Sequence, residues 1–319
     1  MKGENNMFEK IYSLIKEHDT VVIHRHVKPD GDAVGSQTGL KYILKAAFPE
    51  KKIYSVGDNP GFFGFIEGSE IDEIPDDTYK NALAIILDCG AASLISDGRY
   101  TLAKATARID HHIYTERFTD EEVIDTSFES CCGMITAFAV ECGLEIPPVA
   151  AAALYTGIVT DSGRFRYDGT TPATHRNAAV LLEKGIDTTR IFRNLYADNF
   201  ESKRLKASFV LKIKFTQNNV AYIYTTKEEF DDIGADIFTV SRGMVNTMAD
   251  IKGVDIWVNF TETDSGVLCE IRSSIYNINP VATMFGGGGH AKASGATVKD
   301  RETAMQMLAE LDKISGESK

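Results

Sequence analysis

Two clusters of acids and histidines hold the chemistry this sequence can do. In the first, His24-Arg-His-Val-Lys-Pro-Asp-Gly-Asp, the side chains of His26, Asp30 and Asp32 leave one short loop. The second is the tripeptide Asp110-His111-His112. Single acids at Asp88 and Asp161 complete the set. Carboxylates and imidazoles together make a mixed oxygen and nitrogen donor set for divalent cations. So many acids in one pocket repel one another unless metal charge offsets them. The matching chemistry is two-metal hydrolysis, in which paired cations activate a water and clamp the attacking and leaving oxygens of an in-line displacement. Pro29 and Gly31 suit a tight turn that aims the first cluster inward.

Taken singly, each group has a plainer reading. An Asp at a strand end caps the next helix, and Asp-His-His is a common tripeptide. Asp161, in Thr160-Asp-Ser-Gly-Arg-Phe-Arg166, reads as a helix C-terminal turn. His24 reads as a packing histidine beside the site. The conjunction of all four groups, in this order, points to a metal centre. A further signal lies near the other end of the chain. Phe285-Gly286-Gly287-Gly288-Gly289-His290 presents backbone N–H groups with no side chains in the way, a nest for phosphate. Arg272 upstream and His290 within it favour that reading over a merely flexible loop. Arg164 and Arg166 add positive charge beside Asp161, or form a solvated pair.

These residues must be positioned by regular elements. Phe8–Glu17 has the spacing of an amphipathic helix, and so does Gly35–Ala47. Thr20–His24, Lys52–Val56, Ala82–Leu87 and Ala107–Ile109 read as strands, each apolar run but the second ending just before a member of the metal set. Val149–Val159 reads as a buried helix that ends near Asp161. Thr171-Pro172 caps a helix running to Lys184 and stopped by Gly185. Strands alternating with helices predict an α/β fold: a mostly parallel sheet with helices on both faces. Ligands then bind beyond the carboxyl ends of the strands. Residues 187–214 read as a polar helical linker. A smaller α/β domain follows over 215–319, with strands at Val220–Thr225, Asp255–Phe260 and Gly266–Ile271, a hairpin turn at Thr263–Gly266 and a last helix over Glu302–Lys313. The catalytic domain is therefore expected over residues 1–186.

Charge narrows the partners. The chain has 34 basic and 46 acidic residues, a net charge of -12. A protein that grips long nucleic acid needs many cations to displace counterions, so no long nucleic acid is expected. A short phosphorylated molecule in a local basic pocket fits. Cys89, Cys131, Cys132, Cys142 and Cys269 are odd in number and form no Cys-x-x-Cys pair, as expected of reduced thiols in a cytoplasmic protein. The start of the chain has no apolar signal core, and the longest apolar run, Pro147 to Val159, is too short to cross a bilayer, so no membrane is expected. The oligomeric state stays open, a homodimer included.

The motifs resemble a known family. His26-x-x-x-Asp30-Gly-Asp32-Ala-Val-Gly-Ser, then Leu87-Asp-Cys89, then Asp110-His-His112, then Thr160-Asp-Ser-Gly-Arg-Phe165 resemble the DHH phosphoesterases. Gly286-Gly-Gly-Gly-His290 with Ala293-Ser-Gly295, after Arg272-Ser-Ser274, resembles the DHH-associated C-terminal domain. The resemblance covers nearly the whole chain, and its compact two-domain length is similar to the NrnA-type nanoRNase/pAp phosphatase branch. It implies two divalent cations, with Mn2+ the expected ion. One would be held by His26, Asp30 and Asp88, the other by Asp32, Asp88, His111 and Asp161, with Asp88 bridging. His112 would face the substrate phosphate or leaving oxygen, and Asp110 would orient His111 or a metal-bound water. Arg272, Ser273 and His290, with the amides of Gly286, Gly287, Gly288 and Gly289, would bind substrate, aided by Arg164. Cys131-Cys132-Gly133 stands where such proteins often begin a helix with Ser or Thr. The implied substrates are short RNA or DNA oligonucleotides or a nucleotide bisphosphate. Alternatives are a cyclic-dinucleotide or pApA phosphodiesterase, a type II inorganic pyrophosphatase, for which the basic residues near the glycine run are too few, and a catalytically silent nucleotide sensor, for which a metal ligand would be missing.

Overall fold

The computed structural model describes residues 7–316. The chain divides into two compact units, the first running to Ala197 and the second starting at Asp198.

The first unit is built on α1 (Glu9–Glu17), β1 (Thr20–His24), α2 (Gly31–Ala47), β2 (Lys52–Ser55), β3 (Leu83–Leu87), β4 (Ala105–Asp110) and β5 (Glu121–Ile124). These are followed by α3 (Cys131–Glu141), α4 (Pro148–Asp161), α5 (Pro172–Leu182) and α6 (Thr188–Tyr196). All five strands are parallel, in the order β2-β1-β3-β4-β5. Alternate residues on the sheet divide it into two faces. Val21, Ile23, Leu83, Ile85, Leu87 and Ile109 face the main core with the α-helices. Val22, Ala84 and Ile86 face the other way. The helices expected there are short 3-10 turns, which bring Tyr79 and Ile95 against the sheet. His24 packs on this side between Tyr79 and Tyr100, fully buried, as a packing histidine would.

The strand order reverses between β1 and β3, which opens a crevice at their carboxyl ends. His26 follows β1 and Asp88 follows β3, so the two flank that crevice. Asp30 explains why α2 starts four residues earlier than the apolar spacing indicates. Its carboxylate accepts the backbone N–H groups of Asp32 and Ala33, both at 3.0 Å, and so caps the helix. Two elements left no clear signal: β5, a four-residue edge strand, and α3, which is apolar on nearly every side.

The tightest contact in this unit is between α2 and α4, along a row of glycines on α2. Gly31, Gly35 and Gly39 are spaced four apart on one helix face, against Thr160, Ala153 and Leu154. A Cβ on Gly35 would lie 2.6 Å from the Ala153 carbonyl oxygen and 2.9 Å from Cys132 Sγ. This close approach sets Asp32, in the first turn of α2, beside Asp161, the last residue of α4.

The stretch after Gly185 is shared between the units. Ile191 of α6 belongs to the first core, whereas Phe209 of α7 (Phe200–Leu211) packs in the second. The second unit continues with β6 (Lys214–Phe215), β7 (Ala221–Thr225), α8 (Lys227–Ile233), β8 (Ile256–Thr263), β9 (Gly266–Ser273), α9 (Asn279–Met284), β10 (Gly288–His290), β11 (Ala293–Val298) and α10 (Arg301–Gly316). Its six strands run in the order β10-β11-β9-β8-β7-β6, and only β7 and β8 are parallel. The hairpin turn falls at Thr263–Gly266 as the sequence indicates. The glycine run becomes a hairpin strand, with His290 opposite Ala293.

The glycine row makes a stability prediction. Gly35→Val should destabilise the protein by about 1–3 kcal/mol, because the Ala153 backbone has to move. It should also lower divalent metal content by parting Asp32 from Asp161. Gly98→Ala, where a Cβ meets nothing within 4 Å, is the control and should leave both unchanged. Thermal melting and metal analysis of the two variants check this. Equal behaviour would mean the α2–α4 spacing does not position the acids.

Candidate metal centre

Each proposed ligand is delivered by the end of an element. His26 follows β1, Asp30 caps α2, Asp32 sits in its first turn, Asp88 follows β3, His111 follows β4 and Asp161 ends α4. Asp88 has a left-handed backbone, φ 52, which a non-glycine residue rarely adopts. The chain turns sharply there as it leaves β3, a strain of the kind held at functional sites.

Asp88 is at the centre of the cluster. Its Oδ2 lies 3.5 Å from His26 Nε2, which is also 3.8 Å from Asp30 Oδ1. Its Oδ1 lies 3.5 Å from His111 Nε2, which is itself 3.8 Å from Asp32 Oδ2 and 3.5 Å from Asp161 Oδ2. One carboxylate thus turns one oxygen to each side: His26, Asp30 and Asp88 gather within 4.8 Å, as do Asp32, His111 and Asp161, and Asp88 also gathers with His111 and His112, whose Nδ1 lies 3.6 Å from Asp88 Oδ1. Donors held about 2.1 Å from a common cation sit roughly 3–3.5 Å apart, so these spacings close onto an ion with small shifts. Asp88 Oδ1 is buried and makes no hydrogen bond, an orphan that a cation would satisfy. His26 Nδ1 is 2.7 Å from the Val27 carbonyl oxygen, which leaves Nε2 for a metal. The residues present therefore fit two divalent cations.

The electrostatics agree. Burial opposes charge on His26, but the facing carboxylates of Asp30 and Asp88 outweigh that and push its pKa up to about 10. His111 is likewise pushed up to about 10, by Asp88, Asp32 and Asp161 against burial. Burial, and then the charges of Asp88 and Asp161, raise the Asp32 pKa well above the carboxylate range. Burial pushes Asp161 up to about 7. The cluster thus gathers protons in the absence of metal, and cations binding there displace them.

Asp32 has a second support. Its two oxygens accept the backbone N–H groups of Cys131 and Cys132, at 2.7 and 2.8 Å. These are free amides of the first turn of α3, a natural anion site. The cysteine side chains are fully buried and face the core, so the Cys131-Cys132 pair serves the centre through its backbone.

Asp110 does not reach for His111. Its Oδ1 is 2.7 Å from His112 Nδ1, and its Oδ2 accepts Arg108 Nη2. Arg108 is fully buried, with its guanidinium over the Phe118 ring and 3.9 Å from Glu122. The hydrogen bond that His112 Nδ1 donates to Asp110 raises the His112 pKa and commits that nitrogen, leaving Nε2 as the one open to a substrate oxygen. Sequence reading missed Arg108. The available signal was a charged residue two positions before Asp110 in an otherwise apolar strand, hence on the same face of the sheet.

In the second unit, the Arg272 guanidinium pairs with Glu270 at 3.0 Å and with the Ile271 carbonyl at 2.9 Å. Ser273 Oγ donates to the Asp255 carbonyl. The amides of Gly286 and Gly287 already donate to Thr283 and Ala282. His290 is exposed. In the first unit, Arg164 lies over the Tyr196 ring, with its Cζ 4.8 Å from the centroid.

Known proteins resemble this chain along its length. Residues 20–158 match the N-terminal domain of the DHH family, and residues 233–317 match the DHHA1 domain. The chain is 32% identical to the bifunctional oligoribonuclease and PAP phosphatase NrnA of Bacillus subtilis, over 98% of this chain and 99% of that one. The chain belongs to the DHH family. It is also 33% identical to the protein of the same name from Mycoplasma genitalium, over 93% of this chain and 94% of that one. An exopolyphosphatase-related protein from Bacteroides fragilis has a similar structure, with a TM-score of 0.84 and 27% identity, covering 97% of this chain and 96% of that one. Among the described residues, no helix is long and apolar enough to cross a membrane.

Two predictions follow from the geometry. Asp88→Ala should remove both cations, because both donor sets lose a member, and should lower phosphoester hydrolysis by about a thousandfold or more. Metal content by plasma mass spectrometry decides this, and a variant that keeps both metals would refute the bridging role. Arg108→Leu should leave metal content intact and lower kcat by about 10–100-fold, the range for groups that orient a catalytic side chain. An unchanged kcat would show that Asp110 holds His112 without it.

Proposed function

We infer that this protein is a two-metal phosphoesterase that hydrolyses short oligonucleotides to mononucleotides and removes a phosphate from adenosine 3′,5′-bisphosphate. The observation that carries the reading is Asp88, whose two oxygens each face a separate donor set. Bound divalent cations supply Lewis acidity and a water of lowered pKa. His26, Asp30 and Asp88 would hold one, and Asp32, Asp88, His111 and Asp161 would hold the other. Mn2+ is the expected ion, because two histidines among the donors disfavour Mg2+, which prefers an all-oxygen shell.

The remaining groups follow from their positions. Asp110, whose hydrogen bonds from His112 and Arg108 outweigh its burial and keep it below the usual carboxylate range, fixes His112 through Nδ1. Its hydrogen bond favours the protonated imidazole, so His112 Nε2 can give a proton to the leaving oxygen. Arg164 adds positive charge near Asp161. In the second unit, Arg272, Ser273, His290 and the Gly286–Gly289 segment are the proposed substrate-binding groups. With the Gly286 and Gly287 amides engaged internally and Gly288–His290 paired as a strand with Ala293–Gly295, the exposed His290 side chain is the strongest member of that set. A cytoplasmic location suits five free cysteines, four of them buried.

The names of the relatives at 32% and 33% identity support the substrate class, and the acidic balance of the chain supports a short substrate over a long one. The test is an end-labelled digestion panel with Mn2+. It would compare two- to five-nucleotide RNA, a 24-mer, linear and cyclic diadenylate, adenosine 3′,5′-bisphosphate and pyrophosphate. Short RNA should be cut at least about tenfold faster than the 24-mer, with mononucleotides released. Faster cutting of the 24-mer, or internal fragments, would contradict the reading, and preference for pyrophosphate would replace it.

A further inference from the structure

The segment Gly61-Phe-Phe-Gly-Phe65 forms a single 3-10 turn that gathers three aromatic rings. The Phe62 ring lies 5.2 Å from that of Phe63 and 6.0 Å from that of Phe65, at interplanar angles of 84° and 77°. Phe63 and Phe65 have an ordinary role, since they pack against a small core of Val34, Ile66 and Ala153. Phe62 does not share it. The residue is 64% exposed, and neither neighbouring ring lies flat against its own. Packing in this unit gives no reason to keep so large an apolar side chain in water.

The position of the turn offers one. Phe63 Cε1 lies 3.0 Å from the point a Cβ on Gly31 would occupy, on the same spot that the Thr160 side chain approaches. Gly31 stands between Asp30 and Asp32, and Thr160 directly precedes Asp161. The aromatic turn therefore abuts the backbone that carries three of the six proposed metal ligands, and Phe62 is its solvent-facing member. The metal centre itself can recognise only phosphate, because its carboxylates and imidazoles are aimed at cations. Something beside it has to hold the base.

We propose that Phe62 is a base-stacking residue, on which the nucleobase next to the scissile phosphate rests. This deepens the oligonucleotide reading and rests on it. An aromatic face binds any base through its π-surface and so tolerates sequence, while favouring the larger purines. That is the selectivity a scavenger of mixed short fragments needs.

The experiment measures kcat and KM, with Mn2+, for diadenylate, diuridylate and a dinucleotide lacking one base. The wild type and the variants Phe62→Ala and Phe62→Trp are compared. For the wild type, KM should rise from diadenylate to diuridylate to the abasic substrate, with kcat nearly constant. Phe62→Ala should raise KM for diadenylate by about tenfold, a modest share of the stacking range, and leave the abasic substrate unchanged. Phe62→Trp should restore the wild-type order. Thermal melting should be unaltered, because the side chain is exposed. Unchanged KM for diadenylate in Phe62→Ala would overturn the proposal. So would an equal rise for the abasic substrate, which would mean that Phe62 is covered by protein instead of by a base. If the wild type cleaves no dinucleotide at all, the oligonucleotide reading fails and this proposal falls with it, a result distinct from the other two.

Discussion

The structure is organised around negative charge that cannot be left alone. Asp32, Asp88 and Asp110 are almost fully buried, and Asp30 and Asp161 stand beside them. Buried carboxylates survive only when paired, hydrogen-bonded or bound to metal. Each acid here has a different answer. Asp110 has Arg108 and His112. Asp32 has the amide pair at the start of α3. Asp88 has no hydrogen-bond donor for Oδ1, and is left to the histidines on either side and the cations they imply. Asp88, with an oxygen towards each histidine and no hydrogen-bond donor on Oδ1, is thus the acid best placed to join two metals.

The rest of the first unit serves that arrangement. A parallel sheet whose order reverses between β1 and β3 brings the carboxyl ends of two strands to one crevice. The glycines of α2 let α4 approach closely enough that an acid at one helix start meets an acid at another helix end. The same close approach seats Phe63 against Gly31, so the aromatic turn belongs to the same construction. Substituting any of these small residues would alter packing and chemistry together.

Much of this was legible in the sequence, for reasons that can be named. Strands β1, β3 and β4 are short apolar runs that end next to a polar residue, and a parallel sheet puts such endings on one edge. The candidate donors were plain, because few other needs put acids and histidines together at strand ends. What was not legible depends on contacts between distant segments. That the Cys131 and Cys132 amides hold Asp32 is a backbone fact, invisible in side-chain identity. The pairing of Asp110 with His112 in place of His111 depends on which way two adjacent rings turn. Arg108 was hidden because a buried guanidinium in a strand looks like an exposed one. The glycine row was visible as a four-residue spacing, but its meaning required knowing that α4 lies against it.

Whether Asp88 joins two cations can be seen by anomalous diffraction from crystals grown with Mn2+. Two anomalous peaks should stand about 4 Å apart, the spacing typical of two-metal sites. Asp88 Oδ2 should bind the ion shared with His26 and Asp30, and Asp88 Oδ1 the ion shared with Asp32, His111 and Asp161. A single peak, or two peaks with both Asp88 oxygens on one of them, would contradict the bridging role.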